Sequence, residues 1–221
     1  RVLFVIPWHD RVLVGTTDTA MERPELEPRP LAEEVEFILR NSARYLQRTP
    51  ELADVLAVYA GQRPLVHKGG TNGSSKSISR SHEVVVSDTG LVSIMGGKWT
   101  TYRQMAEDTM THAVAVGGLD ESPCTTADLH LHGWMDRDDP RMPTDHVRRQ
   151  YGSDAAELDA LASEDPALGE PVHEQLPYRG AEFAWAARHE MALTLEDAMA
   201  RRTRALLLNA SACLLYTSDA A

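Results

Sequence analysis

The first apolar stretches of the chain are separated by short polar breaks. Residues 2–8, "VLFVIPW", and 12–16, "VLVGT", flank the polar turn "HDR", a pattern typical of a β-hairpin. Farther along, apolar side chains recur at helical spacing between residues 31 and 46, which predicts an amphipathic helix. The run "DVLAVYAG" at residues 54–61 contains β-branched and aromatic residues, which favour a strand.

A second hairpin is predicted between residues 83 and 95. Its strand-like runs, "EVVVS" and "LVSIM", are separated by the turn "DTG". The second run leads into Gly96, Gly97 and Lys98, after which a helix is predicted from Trp99 to about Val116. Before this hairpin, the Gly-, Ser- and Asn-rich stretch "KGGTNGSSKS" predicts a loop.

Helical patterns dominate after residue 135. They are found in "TDHVRRQYG", "DAAELDALASED", "AEFAWAARHEMA" and "TLEDAMARRTRALLLNA". In the last of these, Thr194 as N-cap with Asp197 three residues later predicts an imperfect capping box, with Asp in place of the usual Glu or Gln. The fold class is therefore α/β, an α+β portion with antiparallel strands up to about residue 118, followed by a small all-α C-terminal domain.

The overall charge is strongly acidic. The chain has 33 acidic and 22 basic residues, a formal net charge of −11, which disfavours nucleic acid as a partner because phosphate contacts need clustered Lys and Arg. Residues 61–82 reverse this balance with four Lys or Arg and no carboxylate. This basic island indicates either a small anionic ligand or a solvated loop.

Both ends of the sequence are unusual. The chain begins without Met inside a strand-like run, and its ending, "CLLYTSDAA", resembles a translated adapter from sequencing-library preparation. We therefore expect a fragment of a longer protein whose native reading frame ends near Ala212, and we leave residues 213–221, as an adapter-derived tail, out of the fold prediction. Only two cysteines are present, Cys124 and Cys213, which fits a reducing compartment.

The junction "GGKWTT" carries the first candidate site. A strand that ends in glycines at a helix start exposes backbone N–H groups and the positive end of the helix dipole, and Lys98 adds a full charge. Thr100 and Thr101 can cap the helix or donate to a ligand. The alternative is that Gly96 and Gly97 only allow a tight bend. Neither a phosphate-binding loop nor the G-x-G-x-x-G fingerprint occurs in the chain.

Two arginines are further candidates. Arg63 follows an apolar run and precedes Pro64, and Arg80 precedes the second hairpin. Each either binds an anion or forms a surface ion pair. His130 and His132 in "LHLHG" would share one face of a strand, but no metal site is predicted because no further ligand lies at suitable spacing.

Taken in order, several blocks resemble the FAD-dependent glycerol-3-phosphate dehydrogenase family. These are "FVIPW", "VGTTDT", "YAGQRPLV", "SISRSHEV", "GLVSIMGGKWTTYRQMAED" and "EMALTLEDAMARRTRALLL". The resemblance spans nearly all of residues 1–212 and implies a C-terminal fragment without the N-terminal dinucleotide-binding fingerprint. It assigns residues 1–60 to the substrate-binding domain, 61–118 to the end of the FAD-binding domain and 119–212 to a helical domain.

The resemblance also implies the roles of individual residues. It places Gly96, Gly97, Lys98, Trp99 and Thr100 beside the flavin of FAD. Arg80 would bind the phosphate of glycerol 3-phosphate, with Arg63 and Lys98 at the C2 oxygen as catalytic and substrate-binding cations.

The implied reaction is hydride transfer from C2 to flavin, with quinone or oxygen as electron acceptor. A cytoplasmic enzyme is expected, either free or peripheral on the inner face of the cell membrane, and a homodimer is compatible with this. Two other interpretations stay open: a flavin amine or amino-acid oxidase of the same fold, and a non-catalytic anion-binding module.

Overall fold

The computed structural model describes residues 3–62, 81–145 and 148–219. The chain divides into two compact units, and each is considered by itself. The first unit comprises Arg1–Thr19, Glu25–Ala60 and Leu131–Ala221, and the second comprises Ala20–Pro24 and Gly61–His130. Small antiparallel sheets and a predominantly helical C-terminal part confirm the predicted fold class.

The first unit opens with the predicted hairpin. Strands β1 (Phe4–Trp8) and β2 (Arg11–Gly15) are antiparallel, with Trp8 opposite Arg11. The two residues between them, His9 and Asp10, have φ values of 47° and 59°. Both are left-handed, as the tight two-residue turns that match strand twist require. The polar turn therefore sets the register of the hairpin.

Helix α1 (Ala32–Ser42) confirms the predicted amphipathic helix, although it ends before Leu46. The predicted strand at 54–61 is wrong. A 3-10 turn at Leu52–Asp54 is followed by backbone that pairs with no other strand of the described chain. Instead, the carbonyl of Leu56 accepts the N–H of Ala210, at 3.0 Å, and Ala210 begins a helix. An extended segment thus satisfies a free donor at a helix start.

Helices make up the rest of the first unit. Helix α2 (Tyr102–Gly117) comes earlier in the chain and belongs to the second unit. The helices of the first unit that follow it are, in chain order, α3 (Ala155–Glu164), α4 (Pro166–Gly169), α5 (Gly180–His189), a π-helical turn (Asp197–Arg202), α6 (Ala205–Leu208) and α7 (Ala210–Asp219). Short 3-10 turns at Arg148–Gln150 and Gly152–Asp154 precede α3. The predicted helical C-terminal part is confirmed.

Two apolar clusters form the core of the first unit. One contains Leu158, Ala181 and Trp185, and the other contains Leu176, Tyr178, Met199, Ala205, Leu208, Ala212 and Cys213. Burial of each large side chain contributes about 1.5–3 kcal/mol. Cys213, which the fold prediction left out, is only 1% exposed and packs in the second cluster. The suggested origin of residues 213–221 stays a prediction.

A contact between two glycines fixes the entry to α3. Gly152 is buried with φ of 52°, and a Cβ added there would lie 1.9 Å from the carbonyl oxygen of Gly133. The N–H of Ser153 donates to that same oxygen at 3.2 Å. Only glycine allows two backbone segments to approach this closely. Beside this contact, His132 hydrogen-bonds Asp154 through Nδ1.

The segment "TLEDAMARRTRALLLNA" begins as predicted but does not form one helix. The Asp197 N–H donates to Thr194 Oγ1 at 3.0 Å, and the Thr194 N–H donates to Asp197 Oδ2 at 3.0 Å. This reciprocal pair is the predicted capping box. The helix breaks where the buried Thr203 hydroxyl donates to the Ala198 carbonyl and Arg204 takes a left-handed φ of 61°.

Removing the Thr194 cap should destabilise this segment. Thr194→Ala is expected to lower the free energy of unfolding by about 1 kcal/mol at pH 7, measured by urea denaturation. The Thr194 hydroxyl is the main group holding the pKa of Asp197 below its ordinary value of 3.8, with the Leu193 N–H next. The Asp197 carboxylate therefore stabilises the folded state above pH 3.8, and this stabilisation is lost as the pH falls through the lowered pKa of the folded protein.

Ser163→Ala is the matched control. The Ser163 hydroxyl donates to the backbone carbonyl of Asp159 within α3, at 2.9 Å, and caps no helix. Equal effects of the two substitutions would contradict the capping argument.

The second unit contains the second predicted hairpin and the long helix. Strands β3 (His82–Val86) and β4 (Val92–Gly96) are antiparallel, and β4 leads through a 3-10 turn (Trp99–Thr101) into α2. Gly118, with φ of 58°, terminates α2 in the left-handed conformation usual at helix ends. Both predictions are confirmed. In the described residues, no helix has the length and apolar character needed to cross a bilayer.

The predicted strand around His130 and His132 is wrong, since both histidines lie in irregular, exposed segments. Within the described ranges, no group of three His, Cys, Asp or Glu side chains is arranged to hold a metal ion.

Candidate functional site

The glycine pair lies at a sharp change of direction between β4 and the helical segment. Gly96 and Gly97 have φ values of 70° and 83°, a region that side-chain-bearing residues rarely adopt. Lys98 then returns to extended backbone, with φ of −130° and ψ of 148°. Two successive glycines are therefore needed for the chain to leave the strand and start the helix within two residues.

Gly97 has a second role in packing. A Cβ at this position would lie 2.4 Å from Sδ of Met105 on α2 and 3.2 Å from Cβ of His82 on β3. The glycine lets the loop pack closely against both elements. The two glycines are thus needed for a tight bend, as one of the two interpretations states. The opposite, exposed side of the loop is available for a ligand.

The exposed side of the loop carries Lys98, Trp99 and Thr100. Trp99 is 87% exposed, and its ring stacks on that of Tyr102 with centroids 5.7 Å apart. Among the described residues, no carboxylate pairs with Lys98. A cation without a partner, beside an exposed aromatic pair, is suited to contact an electron-rich planar group.

The start of the helical segment is not capped by a side chain. The Thr101 hydroxyl donates to the Lys98 carbonyl at 3.0 Å, and neither Lys98 nor Thr101 accepts a capping hydrogen bond. The Thr101 hydroxyl therefore stabilises the turn and accepts no N–H of the helix, although Thr101 is the N-cap residue of α2. The positive end of the segment stays available, as an anionic or electron-rich group requires.

Behind the loop lies a polar cluster that the sequence patterns did not reveal. His82 Nε2 and Asp108 Oδ2 are 2.6 Å apart, and Gln104 Nε2 donates to Asp108 Oδ1 at 2.7 Å. The Gln104 hydrogen bond, followed by that of His82, lowers the pKa of the Asp108 carboxyl below its ordinary value. With Val84, Thr111 and His112, this pair lines an open cleft of about 280 Å³.

A weak signal for this pair does exist in the sequence. Asp108 and Gln104 are four residues apart and must share a face of the predicted helix. Nothing in the local pattern indicates that His82, 26 positions before Asp108, is their partner.

Of the sequence-predicted site residues, the structure brings together Gly96, Gly97, Lys98, Trp99 and Thr100 as one continuous loop. Arg63 and Arg80 lie outside the described residues. Their convergence with Lys98 stays a prediction.

Two protein-family models match the chain, and their matched regions overlap in the segment that contains this loop. The family model described as the C-terminal domain of alpha-glycerophosphate oxidase matches residues 87–221, and the model described as FAD dependent oxidoreductase matches residues 1–103. This chain belongs to the FAD-dependent glycerol-3-phosphate dehydrogenase family. The resemblance drawn from the motifs is thereby confirmed, and so is FAD as the cofactor of the family.

Members of this dehydrogenase family from animals and plants align with almost the whole chain. Mitochondrial glycerol-3-phosphate dehydrogenase of Mus musculus is 38% identical over 230 residues, 96% of this chain and 31% of the relative. The probable enzyme of Caenorhabditis elegans is 36% identical, over 95% and 31%. The enzyme of Arabidopsis thaliana is 35% identical, over 96% and 38%. The chain thus spans about a third of the length of the curated relatives it matches.

The loop residues fit a flavin of this dehydrogenase family. The flavin ring is flat and electron-rich when reduced, so it needs a surface without protruding Cβ atoms, with N–H donors and with a positive charge. Gly96 provides the first, the uncapped helical start the second and Lys98 the third, whereas the missing Cβ of Gly97 serves the packing against Met105 and His82. The loop can therefore hold one edge of the ring.

Proposed function

We propose that this chain forms part of an FAD-dependent enzyme that oxidises sn-glycerol 3-phosphate to dihydroxyacetone phosphate. One observation supports this most: Lys98, which has no carboxylate partner among the described residues, lies on a loop that two left-handed glycines hold at an uncapped helical start. The names of the relatives, which are glycerol-3-phosphate dehydrogenases, supply the substrate.

Lys98 has two tasks in this proposal. Its amine donates to the C2 oxygen of the substrate and places positive charge where electron density increases on the adjacent ring. A fixed cation requires no reorganisation during the reaction, so it stabilises the transition state more than the ground state. In this proposal Gly96, Gly97, Trp99 and Thr100 form the surface against which the ring lies.

Arg63 and Arg80 complete the proposed substrate site. Arg80 binds the phosphate and Arg63 the C2 oxygen, an assignment that follows the family motifs "YAGQRPLV" and "SISRSHEV". Charge-assisted hydrogen bonds of this kind contribute about 1.5–3 kcal/mol each. A phosphorylated substrate explains why three cations would be placed at one site in a chain whose formal net charge is −11.

The reaction removes two electrons from the substrate. The C2–H bond breaks, the C2 hydroxyl proton passes to a base, and a C2=O double bond forms. FAD, when bound, accepts the hydride. Lys98 holds the C2 oxygen as the carbonyl forms. We assign the base to no residue of this chain.

The electron acceptor and the location of the enzyme are part of the same proposal. We propose that quinone or oxygen is the electron acceptor. The enzyme is cytoplasmic, either free or bound to the inner face of the cell membrane, and it is a homodimer. Turnover of glycerol 3-phosphate with a soluble quinone, compared with oxygen under the same conditions, distinguishes the two acceptors.

The proposed reaction can be tested directly on the flavin. Full-length protein containing this chain is purified with its flavin and mixed anaerobically with glycerol 3-phosphate. We expect the visible flavin absorbance to bleach as the substrate is oxidised. Glycerol, which lacks the phosphate, should bleach it at least about 100-fold less efficiently, because roughly 3 kcal/mol of charge-assisted binding is missing.

Two outcomes separate the alternatives. Bleaching by glycine or sarcosine but not by glycerol 3-phosphate identifies an amine or amino-acid oxidase. A protein that carries no flavin, and that binds glycerol 3-phosphate without oxidising it, identifies an anion-binding module.

A further inference from the structure

The His82–Asp108 hydrogen bond lies directly behind the Lys98 loop and joins two elements that meet there. His82 is the first residue of β3 and lies opposite Gly96 in the ladder. Its Cβ is 3.2 Å from the position of a Gly97 Cβ. His82 therefore occupies the space beside Gly97 that a side chain there would need, next to the residue that precedes Lys98.

Asp108 anchors the other end of this bond in α2. Its two carboxylate oxygens are both used: Oδ2 bonds His82 at 2.6 Å, and Oδ1 accepts from Gln104 at 2.7 Å. An ionised carboxylate is only an acceptor, so His82 Nε2 carries the hydrogen. Gln104 fixes the carboxylate rotamer, and the carboxylate in turn fixes the imidazole.

Within the described residues, few other side-chain contacts restrain the loop. Lys98 and Trp99 are exposed, and the Thr101 hydroxyl donates to the Lys98 carbonyl within the same turn. Met105 packs beneath Gly97, but its flexible thioether can adjust. Among the described side chains, the hydrogen bond between His82 and Asp108 joins β3 to α2 across the loop, and these two side chains are 22% and 37% exposed.

We propose that the His82–Asp108 hydrogen bond is a brace that positions Lys98, which makes His82 and Asp108 positioning residues for the reaction. This inference rests on the function proposed above. The brace holds β3 and α2 at a fixed separation, and the short loop between β4 and α2 then has one conformation. Without it, the Lys98 amine shifts away from the C2 oxygen, and misplacement of a catalytic group by about 1 Å can slow a reaction about 100-fold.

Three substitutions test the brace in full-length, flavin-loaded protein. Asp108→Ala and His82→Ala remove the bond, whereas Asp108→Asn keeps an acceptor oxygen for His82. We expect the first two to slow single-turnover flavin reduction about tenfold or more, and Asp108→Asn to stay within about threefold of wild type. The substrate concentration for half-maximal reduction should change little, because phosphate binding is assigned to Arg80.

His112→Ala is the matched control. His112 lines the same cleft on α2, and its Nδ1 is 2.8 Å from the Asp108 backbone oxygen, so it belongs to the helix and not to the brace. It should reduce flavin at the wild-type rate. Combining Asp108→Ala with Lys98→Met should add little to the effect of Lys98→Met alone, since the brace acts through Lys98.

A readout independent of activity is backbone hydrogen exchange. Exchange of residues 97–102 should be about tenfold faster in Asp108→Ala and unchanged in His112→Ala and Asp108→Asn. Wild-type exchange and wild-type flavin reduction in both alanine variants would overturn the brace. So would equal slowing in Asp108→Asn and Asp108→Ala. If glycerol 3-phosphate fails to reduce the wild-type flavin, the proposed function fails, while the exchange measurement still decides the brace.

Discussion

Replacing Lys98 by Met should slow reduction of the bound flavin by glycerol 3-phosphate about 100-fold. Met keeps the length and apolar part of the side chain but removes the charge, so the loop should retain its shape. Loss of one preorganised donor at a site of developing negative charge reduces rates by about this factor. The measurement is anaerobic stopped-flow absorbance, with the flavin content of the variant determined beforehand.

Arg103 provides a matched control for charge alone. It is the next cation in the chain, and it already pairs with Glu107 on α2 at 2.7 Å. Arg103→Met should reduce flavin within about threefold of the wild-type rate, because surface ion pairs contribute at most about 1 kcal/mol. Lys98→Arg, which keeps the charge, should fall between Lys98→Met and wild type. A wild-type rate in Lys98→Met would remove this residue from the chemistry.

Replacing Gly152 by Ala should give the largest loss of stability, about 2–5 kcal/mol. The left-handed backbone at φ 52° costs a residue with a Cβ about 1–2 kcal/mol. The added Cβ also meets the Gly133 carbonyl oxygen at 1.9 Å, and backbone cannot move aside as a flexible side chain can. Overpacking of this kind typically costs another 1–3 kcal/mol. Urea denaturation of wild type and variant measures the difference.

Gly118→Ala separates the two contributions. Gly118 is also left-handed, with φ of 58°, but nothing lies within 4 Å of an added Cβ. It should cost only the conformational part, about 1–2 kcal/mol. If Gly118→Ala and Gly152→Ala prove equally destabilising, the close backbone approach between Gly133 and Gly152 does not contribute to the loss of stability in Gly152→Ala.

Much of the candidate site was predictable because its decisive features are local. The change of direction at Gly96 and Gly97 depends on residue type, and the helix start follows from the periodicity after Lys98. The His82–Asp108 bond was not predictable, because which strand residue faces which helix turn depends on how β3, β4 and α2 pack. The mutual position of Arg63, Arg80 and Lys98 stays a prediction for the same reason.

The sequence by itself determined both hairpins, the long helix after "GGKWTT", the capping box at Thr194 and the family. Each depends on turn chemistry, periodicity or capping within a few residues. Only the tertiary structure decided that residues 54–61 form no strand, since a strand needs a partner and this segment bonds a helix start. It also decided that Thr203 and Arg204 interrupt the last helix. The first outcome follows from a contact between distant segments, the Leu56 carbonyl and the Ala210 N–H, and the second from a buried hydroxyl bond that helical periodicity does not indicate.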